Sequence, residues 1–450
     1  MTPPITYDTA LAELSRALAF GINPSLDGIT ALCAALGNPQ NAFASVQITG
    51  TNGKSSTARI TAALLRAEGI ATGLYTSPEL ERYPERIEIG GKVVSDDDFA
   101  LALGAALAAA RALRGDDAVG TATGFTEFEL LTAAALWIFR ERCVSVAVLE
   151  VGMGGRWDAT SVVSPSVAAI TGVGLDHTAI LGDTLEAIAA EKAAIIRPST
   201  VPVLGPGTVG VEQVFLERTA ALGIPARAVR AEGEPAPVAE ALTVRHTLTA
   251  RPSSPGGTTV VDVRGIHAAY CALAVAAPSY QSANVATAVA IAEAALGHAL
   301  DAAAAREALS ALTFPGRFEL VRAAPPVIVD GSHNPQAAAV LATAVRDAFP
   351  AEPPTLLLAI LADKDARGIV AALAFAVDRI AVTQSDSPRA LPVAKLAAIV
   401  DEITGASKAA AYSSIAQALV GELPQSPAGL LVTGSLTTAG QARRLLREMR

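Results

Sequence analysis

Residues 46–56 read Val-Gln-Ile-Thr-Gly-Thr-Asn-Gly-Lys-Ser-Ser, and few folds can hold such a run. An apolar, β-branched segment ends in glycines, and a lysine and two hydroxyls open an alanine- and leucine-rich stretch. The pattern predicts a strand, a tight phosphate loop and a helix N-terminus. Glycines let backbone N–H groups approach an anion, and the helix end adds positive potential. Lys54 would reach the β/γ-phosphates of a nucleotide, and Ser55 or Ser56 would offer a hydroxyl to its metal. The usual spacing would need a glycine at 48, where Ile48 stands, so the loop is the shorter Gly-Thr-Asn-Gly-Lys variety. An ordinary glycine turn is the alternative, and a lysine beside a hydroxyl at a strand-to-helix junction speaks against it.

The rest of the chain extends this beginning into an α/β pattern. Helices are expected over 8–20, 25–36, 54–68, Ser95 to Leu113 and 127–141. Strands are expected over 71–76, Val144–Leu149 and Val167–Thr171, with a loop over 77–86. Strand and helix alternation continues to about 230. Residues 231–265, rich in Pro, Gly, Ser and Thr with short alternating segments, predict a small antiparallel excursion. Helices near 281–297 and 301–311 close a first domain at about Thr313–Gly316, giving domains 1–312 and 313–450. The second series places strands near 326–330, 355–361, 378–383 and 429–433. Such alternation implies parallel sheets with helices on both faces. At 450 residues the length admits two large domains or about three ordinary ones.

Charge and composition narrow the partners. The net charge of −9, without a basic tract, disfavours nucleic acid and acidic membrane surfaces. No stretch approaches the ~18 uninterrupted apolar residues of a membrane span. Cys33, Cys143 and Cys271 are scattered without metal spacing, and the N-terminus lacks a signal-peptide pattern. Both features predict a cytoplasmic protein.

Four further places carry chemistry. Glu150 ends a buried strand ahead of Gly152-Met153-Gly154-Gly155, where a nucleotide's metal is commonly held. His177, in Leu175-Asp176-His177 just past another strand, is a candidate metal ligand, a buried core histidine being the alternative. A helix over 184–196 is expected to start with an Asp183-led capping box. Its apolar stripe runs Leu185, Ile188, Ala189, Ile195 and Ile196, and Lys192 falls on it. Lysine is almost never buried without a partner, and burial favours its neutral, nucleophilic form; a side chain snorkelling at the stripe's edge is the alternative. In the second series, Val327–Asp330 leads through Gly331-Ser332-His333 to Asn334-Pro335, the N-cap and first residue of a helix over 335–349. Asp330 and His333 stand at the mouth of this second site, and Arg317 at the hinge could grip phosphate across the domains.

Taken together, these residues resemble the folylpolyglutamate synthase/dihydrofolate synthase family of the Mur ligase superfamily. Ordered matches run from Gly50–Ser56 through Tyr75–Pro78, Glu85–Ile87 and Leu149–Thr160. They continue through Leu175–His177, Gly182–Leu185, Glu191–Ala193, Phe314–Arg317, Asp330–Pro335, Asp363–Asp365 and Thr433–Ser435. Ser55 and Glu79 depart from the family's usual glycine and histidine. The resemblance implies a phosphate-loop ATPase-like domain followed by a Rossmann-like one, closing over ATP and Mg2+. It implies that a folate carboxylate takes the γ-phosphate of ATP and that glutamate then displaces phosphate. On that basis Lys54, Glu150, His177 and Lys192 are catalytic. Gly50, Thr51, Asn52, Gly53, Lys54, Ser55, Ser56, Asn284, Arg317, Asp330 and His333 contact the nucleotide. Ser77 and Glu150 hold a first magnesium and His177 a second, with Ser55 and a carbamylated Lys192 also serving the metal. The implied partners are folate or dihydropteroate, L-glutamate and ATP, for a monomer. A Mur-type ligase of another acid, such as a peptidoglycan precursor, and a non-ligating nucleotide switch are the competing readings; the switch needs neither Lys192 nor the Asp330/His333 site.

Overall fold

The computed structural model describes residues 5–18, 21, 23–114, 124–237, 241–405 and 409–449. Two sheets organise it. The strands of the first, in chain order, are β1 (Ala44–Thr49), β2 (Thr72–Tyr75), β3 (Ile87–Ile89), β4 (Lys92–Val93), β5 (Val146–Glu150), β6 (Val167–Gly172), β7 (Val201–Gly207), β8 (Arg227–Ala231), β9 (Leu242–Ala250), β10 (Thr259–Arg264) and β11 (Ala269–Val275). They lie in the order β11-β10-β9-β8-β7-β6-β1-β5-β2-β3-β4. From β9 through to β2 every neighbouring pair is parallel. The pairs at both outer edges are antiparallel.

β1 is flanked by β5 and β6, so the chain leaves it toward one side of the sheet and later returns on the other. Open α/β sheets bind ligands at such a switch point, beyond the carboxyl ends of the strands. The ends of β1, β2, β5 and β6 therefore bring Gly50, Ser77, Glu150 and the Thr171–Asp176 segment to one edge.

Alanine makes the layers thin. The helix Gln281–Leu296 buries Val285, Ala286, Ala288, Val289, Ala290, Ile291 and Ala292 against the sheet and against the helix Lys54–Ala67. The helices Asp96–Arg114 and Glu127–Glu141 cover the opposite face through Phe99, Leu103, Leu130, Leu136 and Phe139. Small side chains let these helices approach closely, which favours dispersion contacts over bulk. Thr126 and Glu129 form a reciprocal capping box that starts Glu127–Glu141.

The second sheet contains β12 (Glu319–Ala323), β13 (Pro326–Val329), β14 (Thr355–Leu358), β15 (Arg379–Val382), β16 (Ala410–Ala411) and β17 (Leu430–Thr433), ordered β12-β13-β17-β14-β15-β16. All its pairs are parallel except β12 with β13. Among the described residues no helix is long and apolar enough to cross a membrane.

Several local expectations change. The antiparallel pairing expected over 231–265 is present between β9 and β10, and it forms part of the main sheet. β9 adds parallel to β8, and β10 and β11 continue the main sheet, so the edge of β8 is covered rather than left open. β11 itself was not foreseen. Nor was the β3–β4 hairpin, whose turn residues Gly90 and Gly91 have φ of 59° and 79°. Only glycine takes two such conformations at little cost, and the Gly-Gly pair was the available signal. The first helix spans Tyr7–Ala17; Ala19 and Phe20, the end of its expected range, lie outside the described residues. The lysine-bearing helix is Leu185–Ala193, capped by Thr184, whose hydroxyl accepts from the Ala187 N–H at 3.2 Å. Asp183 lies before this cap because Thr184 is already extended. Leu185 consequently faces outward, while Ile188, Ala189 and Lys192 are buried.

Candidate active site

The phosphate loop is fixed by what lies behind it. Gly50 (φ 153°) and Gly53 (φ 84°) adopt backbone shapes that favour glycine. A Cβ at Gly50 would lie 1.9 Å from Thr171 Oγ1, and one at Gly53 2.8 Å from Asn284 Oδ1. The Thr51 N–H donates to Gly172 O at 2.9 Å, and Thr171 Oγ1 donates to Asn52 O at 2.6 Å, tying the loop to the end of β6. Gly53 gives the helix Lys54–Ala67 no side-chain cap. Its first-turn N–H groups are therefore available to an anion. Lys54 Nζ donates to Gly50 O at 2.9 Å and Thr51 O at 3.4 Å, lying back over its own loop. Burial pushes its pKa down, against the opposing pull of Glu150.

Glu150 ends β5 with 1% of its surface exposed. It accepts from Ser55 Oγ at 2.8 Å and from the Ser77 N–H at 3.1 Å. Burial raises its pKa, and those donors and Lys54 oppose the rise. Lys192 is 3% exposed. Among the described residues no acid pairs with its amine, which burial pushes down to about 7. His177 begins the short helix Thr178–Leu181 in a left-handed conformation, φ 52°, with its side chain exposed.

The second sheet supplies the opposite wall. Asp330, past β13, accepts from the Phe318 N–H and the Ser332 N–H, each at 2.8 Å, so it anchors the segment that carries Arg317. Asn334 caps the helix Pro335–Ala348 through the Ala337 N–H at 2.8 Å. Its amide also donates to Asn52 Oδ1 at 3.1 Å, while Asn52 donates to Gln336 Oε1 at 3.0 Å. The walls are joined further by Asp176, whose carboxylate meets Lys364 Nζ at 2.6 Å and His333 Nε2 at 3.4 Å. Burial alone would raise the Asp176 pKa; the hydrogen bonds from His333 and Lys364 outweigh it and hold the carboxyl well below the usual range.

Gly50 through Ser56, Ser77, Glu150, His177, Lys192, Asn284, Arg317, Asp330 and His333 all line one cavity of about 380 Å³. Every residue expected at the site from the sequence is thus in one place. Asn284 lies beside the loop, donating to Gln281 Oε1 at 2.7 Å, and Gln281 donates to Ser56 Oγ at 3.1 Å. At Ser77, His177 and His333 the cavity meets a wider cleft of about 1750 Å³. The sequence pattern assigns Asp176 and Lys364 no role of their own. Their signal was their position past the carboxyl ends of β6 and β14, the level at which such sheets bind ligands. Glu79, where the family pattern has histidine, is taken up by Arg86 at 2.5 Å.

The donors suit a divalent cation that keeps waters and phosphate oxygens. Magnesium needs only one or two protein carboxylates. Glu150 is a buried carboxylate with hydroxyl and N–H donors but no ion-pair partner among the described residues, and Ser55 Oγ already rests on it. No group of three acidic, histidine or cysteine side chains forms a metal cage among the described residues. A nucleotide's own oxygens would therefore complete the coordination.

Comparison with known proteins is consistent along the chain. Residues 316–436 match the family model "Mur ligase, glutamate ligase domain". A Mycobacterium tuberculosis dihydrofolate synthase/folylpolyglutamate synthase is 36% identical over 94% of this chain and 90% of its own. The crystal structure of M. tuberculosis folylpolyglutamate synthase complexed with ADP and AMPPCP superposes with a TM-score of 0.85 at 35% identity, covering 98% of this chain and 99% of that one. A bifunctional folylpolyglutamate synthase/dihydrofolate synthase from Yersinia pestis, complexed with AMPPNP and Mn ion, gives 0.82 at 28% identity, covering 99% and 100%.

Proposed function

The chain belongs to the folylpolyglutamate synthase/dihydrofolate synthase family, and from that premise we propose that it joins L-glutamate to the carboxylate of a folate at the expense of ATP. The observation that carries the reading is the meeting of the two cavities. Phosphate-loop residues and Lys192 line the smaller one, and Ser77, His177 and His333 stand where it opens into the wider cleft. That cleft also exposes Trp157, Leu175, Ile180 and Leu185 together. Apolar side chains gathered in a concave surface suit a flat heterocycle and its aromatic extension. An acid held there by its apolar body would present its carboxylate to the γ-phosphate.

In this reading the loop N–H groups, Lys54 and Arg317 hold the triphosphate, and Asn284, Asp330 and His333 take the rest of the nucleotide. Magnesium ions, a first at Ser77 and Glu150 and a second at His177, with Ser55 and the carbamate of Lys192 beside them, would neutralise phosphate charge. The acceptor carboxylate attacks the γ-phosphorus and ADP leaves, giving an acyl phosphate. The glutamate amine attacks the acyl carbon, and phosphate departs with one oxygen of the original carboxylate. Water must be kept from the acyl phosphate, and closure of the walls through Asp176, His333 and Lys364 serves that end.

We place the domain division at 312/313, so that residues 313–317 form the hinge. Small-angle scattering with ATP analogue, magnesium and a folate should give a smaller radius of gyration than the free protein; superimposable profiles would contradict closure. The activity itself is tested by phosphate release with folate and glutamate offered singly and together. A ligase requires both, whereas a nucleotide switch responds to neither.

A further inference from the structure

The wide cleft has an unusual charge inventory for a site that would handle a growing polyanion. Among the described residues seven carboxylates line it against three cations, Arg86, Lys364 and Arg389, and one of the seven, Glu191, is paired with Arg156 at 2.9 Å. Each cation is already engaged. Arg86, 8% exposed, is held between Glu79 at 2.5 Å and Glu127 at 3.9 Å. Lys364, 10% exposed, is paired with Asp176 at 2.6 Å. Freeing either would leave a half-buried or buried carboxylate, Glu79 and Glu127 or Asp176, without its partner, which is costly. Only the pair of Arg389 with Asp363, at 2.8 Å, is exposed enough to exchange partners easily. Turning Arg389 to a ligand would still leave Asp363 facing that ligand. Glu129, Asp158 and Asp365 also line it with no cation partner among the described residues: their oxygens take hydroxyl and backbone N–H donors and, at Glu129, the Asn23 amide, and burial pushes the Asp158 pKa up.

Each γ-linked glutamate brings one α-carboxylate into this cleft. Like charges in a partly enclosed, low-dielectric space repel more than in bulk water. We propose that this cleft selects acceptors bearing no glutamate or a single one, and disfavours folates that already carry a γ-glutamyl tail, with Asp363 as a residue that sets the limit. The proposal rests on the ligase reading above. It names which members of that substrate class are extended.

The test compares kcat/KM for dihydropteroate, a monoglutamyl folate and a triglutamyl folate, at low and at raised salt. The expected result is at least a tenfold lower kcat/KM for the triglutamate than for the monoglutamate. The gap should narrow as salt screens the repulsion. Asp363→Asn frees Arg389 and should raise the triglutamate value about fivefold or more, with the monoglutamate value within twofold. Asp365→Asn, which keeps an N-cap side chain, is the second variant and should act in the same direction. Equal or better use of the triglutamate, a gap indifferent to salt, or variants that alter both folates alike would overturn the proposal. If no folate acid is extended at all, the ligase reading fails, and this inference falls with it.

Discussion

Lys54→Ala is expected to lower kcat for ligation by at least ~10²-fold while the protein melts within a few degrees of the unaltered chain. The lysine stands at the start of the helix Lys54–Ala67, and among the described residues its amine donates only to the carbonyls of Gly50 and Thr51. No apolar packing depends on that amine, so truncation removes little of the fold. A positioned cation beside the transferring phosphoryl group is worth several kcal/mol in the transition state, because developing charge is stabilised without reorganisation. Steady-state turnover beside a thermal melt separates the two effects. Turnover within a few-fold of the unaltered enzyme would show that Lys54 only shapes its loop.

Lys192 should be a carbamate in the active enzyme. The amine is buried on the helix Leu185–Ala193, and no acid pairs with it among the described residues. Neighbouring Glu191 turns to Arg156 instead, at 2.9 Å. A cation in that position is costly, and burial pushes the amine down to about 7, leaving much of it neutral near pH 7. A neutral amine adds CO2 and releases a proton, which replaces an unpaired cation with an anionic oxygen pair suited to magnesium. Lys192→Ala should therefore lose most activity, and acetate or formate should restore part of it by supplying the missing carboxylate. Lys192→Arg keeps the cation and should be inactive without rescue. Activity retained in Lys192→Arg would mean that the residue serves as a structural or phosphate-facing cation.

The sequence made the chemistry more legible than the architecture around it. Gly50–Ser56, Glu150 and Lys192 could be found because each breaks a local pattern: glycines ending a strand, an acid closing an apolar run, a lysine on an apolar stripe. The Asn334-Pro335 cap was equally plain, since its side chain and ring act on their own helix. Pairings between distant segments were not legible. The addition of β9 to β8 depends on an exposed sheet edge that no local pattern announces. The same holds for Asp176 with Lys364, which lie 188 positions apart. The Asp183 cap failed for a smaller reason, because two adjacent residues could both cap and only the backbone decided for Thr184. Leu185 then moved from the buried stripe to the surface, yet Lys192 stayed inside.

The measurement that bears most directly on the central claim follows oxygen. With both oxygens of the acceptor carboxylate labelled with 18O, ligation through an acyl phosphate transfers one labelled oxygen to each phosphate released and retains the other in the new amide. Mass spectrometry of the phosphate and of the glutamylated folate should find one label in each. Unlabelled phosphate released alongside ligated product would contradict the account, because the carboxylate would not have been phosphorylated.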